Sequence, residues 1–326
     1  MGRDLRNKTV LVTGGAGMMG RPLVDLLLAD GANVRVLDKI ERPRDLDSSV
    51  GYWTADLGKA GELVGMVEWA YYIFHLAGAK GGVGIGRKRG ADFLVANMRS
   101  TMNLLDAIRR AEARPRVVFV SSVGAYSGEK NVFREDQAME GQPHASDYYG
   151  GHAKRFGEIL CQAYREQFGL DYVVVRPTST FGPHDRFDAE TGMVIPSLIK
   201  RLEDGERPLV LRGNGNTMRD FLYSEDCAAG ILAAMKRGRS GEIYNLGTGC
   251  PKAVSYIAEC LAKLYGTTVE LEPTVDNSPW MRCMDTAKSE RELGFKAQWK
   301  IEKALKRTVE WYRANKEEKK YDPFRD

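Results

Sequence analysis

From Lys8 to Pro177, short β-branched and apolar blocks alternate with longer stretches whose apolar positions recur at helical spacing. The blocks Thr9–Thr13, Asn33–Leu37, Val50–Thr54, Tyr71–Leu76, Arg116–Ser121 and Leu170–Val175 are too short for ordinary helices. Most are apolar on both alternating positions, as strands covered on both faces of a sheet must be. Between them, Arg21–Ala29, Ala91–Ala113 and Asp147–Phe168 read as helices. The second carries a stripe through Phe93, Leu94, Met98, Met102, Leu105 and Ile108. Strand and helix in alternation predict an α/β fold, a Rossmann-type doubly wound parallel sheet. Past Pro177 the rhythm changes to loops separated by helices near 194–204, 224–237, 252–265 and 301–314, which predicts a smaller C-terminal lobe. The expected division is 1–178 for the first domain with a return segment at about 220–249. The lobe then takes 179–219 and 250–314, leaving a charged tail at 315–326.

The first strand breaks into Gly14, Gly15 and Gly17, then Met18, Met19 and Gly20, before the first helix. Glycines let a backbone approach an anion closely, and a helix N-terminus offers free N–H groups and a favourable dipole. The turn therefore suits a diphosphate, although an ordinary tight βα turn has the same look. Asp38 ends the second strand, where a carboxylate accepts both ribose hydroxyls of NAD and repels a 2′-phosphate. Arg42 and Arg44 just downstream are the counter-signal for NADP. Asp56 and Leu57 close the third strand, where a side chain can meet the adenine edge. After the fourth come Leu76, Ala77 and Gly78, small enough to leave room for a ligand. His75, inside an apolar run, reads as a buried histidine with its hydrogen bonds met. The basic, glycine-rich run Lys80–Gly90 is either a solvated loop or a lid over an anionic substrate.

The chain has 326 residues, 43% hydrophobic and 28% charged, with a formal net charge of +4 from well-mixed acids and bases. That balance argues against nucleic acid as a partner. The five cysteines form no C-x-x-C pair and point to a reduced, cytoplasmic setting. No apolar run approaches 18 residues, so no membrane partner is expected.

Taken in order, TGGAGMMG (13–20), Asp38, ADL (55–57), HLAG (75–78), VSSVGAYSG (120–128), Lys154-x-x-x-Glu158, RPTSTFGP (176–183), RDFLYSED (219–226), YNLGTG (244–249) and Arg282-x-x-Asp285 form one set. In motif and spacing this set resembles the extended short-chain dehydrogenase/reductases that act as nucleotide-sugar epimerases, dehydratases and reductases. The likeness spans Lys8 to Tyr312. Locally, AGAKGGVG, ADFLVANM, FGPHDRF and MVIPSLI look most like GDP-fucose synthases. The resemblance implies NAD as cofactor, held by Gly14, Gly17, Met18, Met19, Gly20, Asp38, Asp56, Leu57, Leu76, Ala77, Gly78 and Lys154. It implies a nucleotide-diphosphate sugar as substrate, met by Lys80, Ser179, Val194, Arg219 and Arg282. It also implies a homodimer packed through the helices at 91–113 and 147–168.

In such enzymes a tyrosine, its pKa lowered by a lysine four residues on, takes the proton of a sugar hydroxyl while a serine shares the hydrogen bond. The matching serine is Ser122 and the matching lysine Lys154, but the residue four before Lys154 is Gly150 and Tyr149 is five before. On an ideal helix that spacing turns the two side chains about 140° apart. Either the Gly150–Gly151 pair bulges the helix start and returns Tyr149 to the site, or His152 or Tyr148 substitutes, or catalysis is impaired. The acidic pair of dehydratases is replaced by Val123 and Gly124. The cysteine and histidine of the 3,5-epimerase/reductases are replaced by Gly124 and Met193. Hydride transfer at C4 is what survives, so the expected activity is an NAD-dependent 4-epimerase. A 4-keto-sugar reductase or dehydrogenase, or an impaired binding homologue, is the alternative.

Overall fold

A computed structural model describes residues 2–59, 63–79, 88–111, 114–213, 215–273 and 280–316. In chain order the strands begin with β1 (Thr9–Thr13), β2 (Asn33–Asp38), β3 (Gly51–Thr54), β4 (Tyr72–His75), β5 (Arg116–Val120) and β6 (Val132–Phe133). They continue with β7 (Tyr172–Pro177), β8 (Ser179–Phe181), β9 (Leu209–Arg212), β10 (Met218–Arg219), β11 (Phe221–Tyr223) and β12 (Ile243–Leu246). The last are β13 (Lys252–Ala253), β14 (Val269–Glu272) and β15 (Met281–Met284). The helices are α1 (Gly20–Ala29), α2 (Leu63–Val67), α3 (Gly90–Arg110), α4 (Tyr148–Phe168) and α5 (Val194–Glu203), then α6 (Ser224–Arg237), α7 (Val254–Leu264), α8 (Ala287–Leu293) and α9 (Ile301–Asn315).

Seven strands form one parallel sheet in the order β12-β7-β5-β4-β1-β2-β3. The six predicted strands are all in it. The seventh, β12, pairs with β7 from Ile243↔Val174 to Leu246↔Pro177. Side chains alternate across the sheet as the pleat requires. Val10, Val12, Val34, Val36, Val118 and Val120 pack under α1 and α6. Leu11, Leu37, Ile73, Val117 and Phe119 face the other layer, with Leu104, Leu105 and Ile108 of α3 and Cys161 of α4. Cover on both faces explains why the central strands read as largely apolar.

Beyond β7 a separate core joins α5, α7 and α9 to Phe181, Leu209, Leu211 and Phe221. Three details differ from the sequence reading. The expected 252–265 helix starts at Val254, because Lys252–Ala253 is a strand paired with β10. The expected 91–113 helix starts at Gly90 and ends at Arg110. The lobe also holds short strands and α8, none predicted, because two- to four-residue strands carry no periodicity of their own.

The carboxyl ends of β1, β4 and β5 meet where the strand order reverses, which is where open α/β sheets bind ligands. Buried polar groups tie that edge together. Arg176 of β7 grips Glu158 of α4 through Nε at 3.0 Å and Nη2 at 2.6 Å, and both side chains are almost fully buried. Arg176 also donates to the Tyr126 hydroxyl at 2.9 Å, and Ser121 donates to Glu158.

Candidate active site

The glycine turn after β1 is shaped by backbone packed on backbone. Gly14 has φ of 72°, and a Cβ there would lie 2.8 Å from the Ala77 nitrogen. A Cβ at Gly20 would lie 2.3 Å from the Gly14 oxygen, so α1 starts directly on the turn. The cap residue Met19 gives α1 no side-chain cap, and its first turn has no acid. The N–H end of α1 is thus open to an anion. Gly17 donates its N–H to Gly14, while the buried Met18 and half-buried Met19 wedge the turn. The Cys227 thiol of α6 lies 3.6 Å from the Met19 sulfur.

Asp38 is pinned at the end of β2. One oxygen accepts from Ala16 N–H at 3.0 Å, the other from Lys39 N–H at 2.8 Å. Burial raises its pKa above the ordinary carboxylate value, against the pull of those N–H groups. Arg42 turns away, donating to the carbonyls of Val50 at 2.7 Å and Asp47 at 2.6 Å, and Arg44 is exposed. Neither arginine makes a bond that would counter Asp38. Lys39 reaches Asp56 at 3.6 Å. Leu57 and Leu76 are buried, Asp56 and Ala77 half-buried, and Gly78 is exposed. This glycine turn, open helix end and strand-end carboxylate fit a dinucleotide diphosphate and ribose.

At the fourth strand His75 is a structural prop. Its Nδ1 lies 2.8 Å from Thr13 Oγ1 and its Nε2 3.2 Å from Thr101 Oγ1, and Thr101 donates to the Asn97 carbonyl. The network assigns the proton to Nε2. Burial pushes its pKa down to about 3, so the ring stays neutral.

The expected catalytic residues lie at the end of β5 and in the first turns of α4. Ser122 Oγ accepts from Gly124 N–H at 3.0 Å. Lys154 donates from Nζ to the Val120 carbonyl at 2.9 Å. Its ammonium is 3.6 Å from where a Cβ of Gly78 would stand, beside Asn97. Desolvation lowers its pKa to about 8, with Glu158 opposing the fall. Of the alternatives left open by the sequence, the bulge is not present: α4 is unbroken α-helix from Tyr148, opened by Gly151 N–H to Asp147 oxygen at 2.6 Å. The glycine pair serves packing instead. A Cβ at Gly151 would lie 2.2 Å from the Gly124 oxygen, and one at Gly150 would lie 3.0 Å from the Phe93 ring.

Tyr149 keeps its side chain 41% exposed, with its ring against Gly90 at the first turn of α3. Tyr148 stacks edge-on to both Tyr149 and His152, and His152 lies 3.0 Å from Gln142. Asn97, near Lys154, stands two helical turns along α3 from Gly90, about 10 Å by the helix rise. The structure thus brings Ser122 and Lys154 to one sheet edge and sets the Tyr149 ring apart.

Ser179 opens β8 and Val194 opens α5, half-buried and exposed respectively. Arg219 of β10 sits opposite Arg282 of β15 in a parallel register. Asp220 anchors the pair of strands by accepting from Thr248 and Gly249 of the next loop and from Met284 N–H. Lys80 lies outside the described residues. Arg282, which the resemblance assigns to the substrate, is paired with an acid. Its Nη1 is 2.5 Å from Asp147 Oδ2, while Nε and Nη2 are buried without a partner. Asp147 went unnoticed in the sequence because an acid before a helix reads as a cap.

The sequence profile of the NAD-dependent epimerase/dehydratase family matches residues 10–247. The chain belongs to this family. As an extended short-chain dehydrogenase/reductase it is an enzyme whose cofactor is NAD. A curated relative, dTDP-4-dehydro-6-deoxy-D-allose reductase from a Streptomyces species, is 29% identical over 95% of this chain and 97% of its own. A UDP-glucose 4-epimerase structure from Thermotoga maritima matches with TM-score 0.82 at 27% identity, covering 95% of this chain and all of that one. A dTDP-glucose 4,6-dehydratase from Streptomyces venezuelae, solved with NAD, matches with TM-score 0.82 at 28% identity, covering 94% and 97%. Reductase, epimerase and dehydratase thus share this architecture, and the family alone does not separate them.

Proposed function

We propose that the protein is an NAD-dependent nucleotide-sugar 4-epimerase that works through a 4-keto sugar. Bound NAD supplies a reversible acceptor for the C4 hydride. Ser122 and Lys154 flank the C4 oxygen, and Tyr149 takes its proton only once its ring turns in from its seat against Gly90 toward Lys154, whose charge then favours the deprotonated tyrosine. Arg219 and Arg282 grip the diphosphate, with Lys80, Ser179 and Val194 as further substrate contacts. In this reading 1–178 with the return at 220–249 is the NAD domain, and 179–219 with 250–314 is the substrate lobe.

One observation carries the choice of reaction. Val123, Gly124 and Met193 offer no ionisable group for chemistry at C3, C5 or C6. The Asp147 carboxylate, across Gly124 from Ser122, is engaged by Arg282. Hydride chemistry confined to C4 is left, and returning the hydride to the other face requires no second redox partner. The exposed Tyr149 ring favours a second reading, an impaired homologue that binds nucleotide sugars without turning them over. Incubation with UDP-, GDP-, CDP- and dTDP-sugars decides between them. The epimerase yields a C4 epimer and loses turnover by at least about a hundredfold in Tyr149→Phe. An unchanged sugar panel with tight binding supports the impaired homologue.

For the assembly we infer a homodimer through α3 and α4, whose Val95, Met102, Ile159 and Phe168 are exposed. Light scattering should give twice the chain mass, and Met102→Glu with Ile159→Glu should give one.

A further inference from the structure

We propose that Asp147 reads the sugar: with Arg282 it forms one polar edge that accepts from a ring hydroxyl and donates to the adjoining phosphate of a glycosyl phosphate. The proposal rests on the nucleotide-sugar reading of the site and adds a residue that the family motifs do not include.

Asp147 stands at the cap position of α4, where an aspartate ordinarily accepts from the helix N–H groups, yet its side chain makes no such bond. Its Oδ2 goes instead to Arg282 Nη1, 135 residues away, at 2.5 Å. Its Oδ1 has no hydrogen-bond partner among the described residues, and the side chain is 33% exposed. The arginine is the second half of the observation. Its side chain is only 9% exposed, and Nε and Nη2, which form one side of the guanidinium, are buried and unpartnered. Two such donors match two phosphate oxygens. Arg219, directly opposite on β10, adds a cation on the same face.

The acceptor and the donors lie at the reacting end. A Cβ at Gly124 would be 3.5 Å from both Asp147 Cβ and Ser122 Oγ, so the glycine leaves space between them. A bare phosphate meets the Arg282 donors but also the Asp147 carboxylate, which repels it. A glycosyl phosphate brings a hydroxyl for Oδ1 and turns that repulsion into a charge-assisted hydrogen bond. Asp147 thereby distinguishes a glycosylated nucleotide from the free nucleoside diphosphate that competes for the same arginines.

The test is calorimetric binding to the NAD-loaded protein of UDP, GDP and dTDP against UDP-glucose, GDP-mannose and dTDP-glucose. The protein should prefer at least one sugar conjugate over its diphosphate by about tenfold or more. In Asp147→Asn that preference should collapse to about unity, with the diphosphate bound as well as before or better. Asp147→Glu should recover part of it. If Asp147→Asn fails to fold because Arg282 is left as a buried unpaired charge, Asp147→Asn with Arg282→Met removes both charges and must show no preference. An unchanged preference in the variants, no preference in the parent, or no binding by any probe overturns the proposal. Retained discrimination without epimerisation refutes the epimerase reading and leaves this one standing. Epimerisation with the preference intact in Asp147→Asn does the reverse.

Discussion

Lys154 is held where an ammonium is least comfortable. Its amine is desolvated at the end of β5, bonded to the Val120 carbonyl, and its pKa falls from 10.5 to about 8. Between those values the unfolded chain binds more protons than the folded one, so stability rises with pH across that window. Below pH 8 the burial cost is present in full. It is of the order of 2 kcal/mol, less than the whole shift implies because the side chain keeps part of its surface in the cleft. Lys154→Met should therefore lose activity yet unfold at a higher temperature at pH 7, and its advantage should shrink by pH 10. A variant no more stable than the parent at pH 7 would show that the amine is not desolvated. Lys154 was legible in the sequence because Lys154-x-x-x-Glu158 is a local pattern. Asp147 was not, since its partner lies on β15 and only the fold joins them.

At the scale of the element, the start of α4 decides the site. Two consecutive glycines read as a weak helix start that could bulge. The helix is regular because Gly151 lies against the Gly124 carbonyl, a contact that no sequence pattern announces. Gly151→Ala would place a methyl group 2.2 Å from that oxygen and 2.7 Å from Pro143 Cβ. It should lower kcat by more than about tenfold and destabilise the fold by about 2 kcal/mol, through displacement of α4 from Ser122. Gly65→Ala is the control. Gly65 is exposed in α2 with nothing within 4 Å of the added carbon, so thermal unfolding should move up slightly and kcat not at all. Equal losses in both variants would contradict the packing argument.

At the scale of the molecule, the strands of the parallel sheet were legible as far as β7 because the central ones are covered on both faces and so are largely apolar. A return segment was expected at about 220–249, but the pairing of its strand β12 with β7, the short strands of the C-terminal lobe and the Asp220 anchor depend on contacts between distant segments. The glycine turn and the strand-end Asp38 were legible because they fall in sequence order along β1, α1 and β2. The reaction was harder to read, since it depends on which side chains β5, α4 and β15 bring beside Ser122. Val123 and Gly124 there, with Asp147 tied to Arg282, are what support the proposed hydride chemistry at one carbon. No helix among the described residues is long and apolar enough to cross a membrane, and no group of three or more potential metal ligands occurs among them.

The most direct test follows a nucleotide-sugar panel by proton NMR in deuterated water with the NAD-loaded protein. The account predicts inversion at C4 with no deuterium entering the sugar and no reduced nicotinamide accumulating. Deuterium at C3 or C5, loss of water from the sugar, or stoichiometric production of NADH would contradict it.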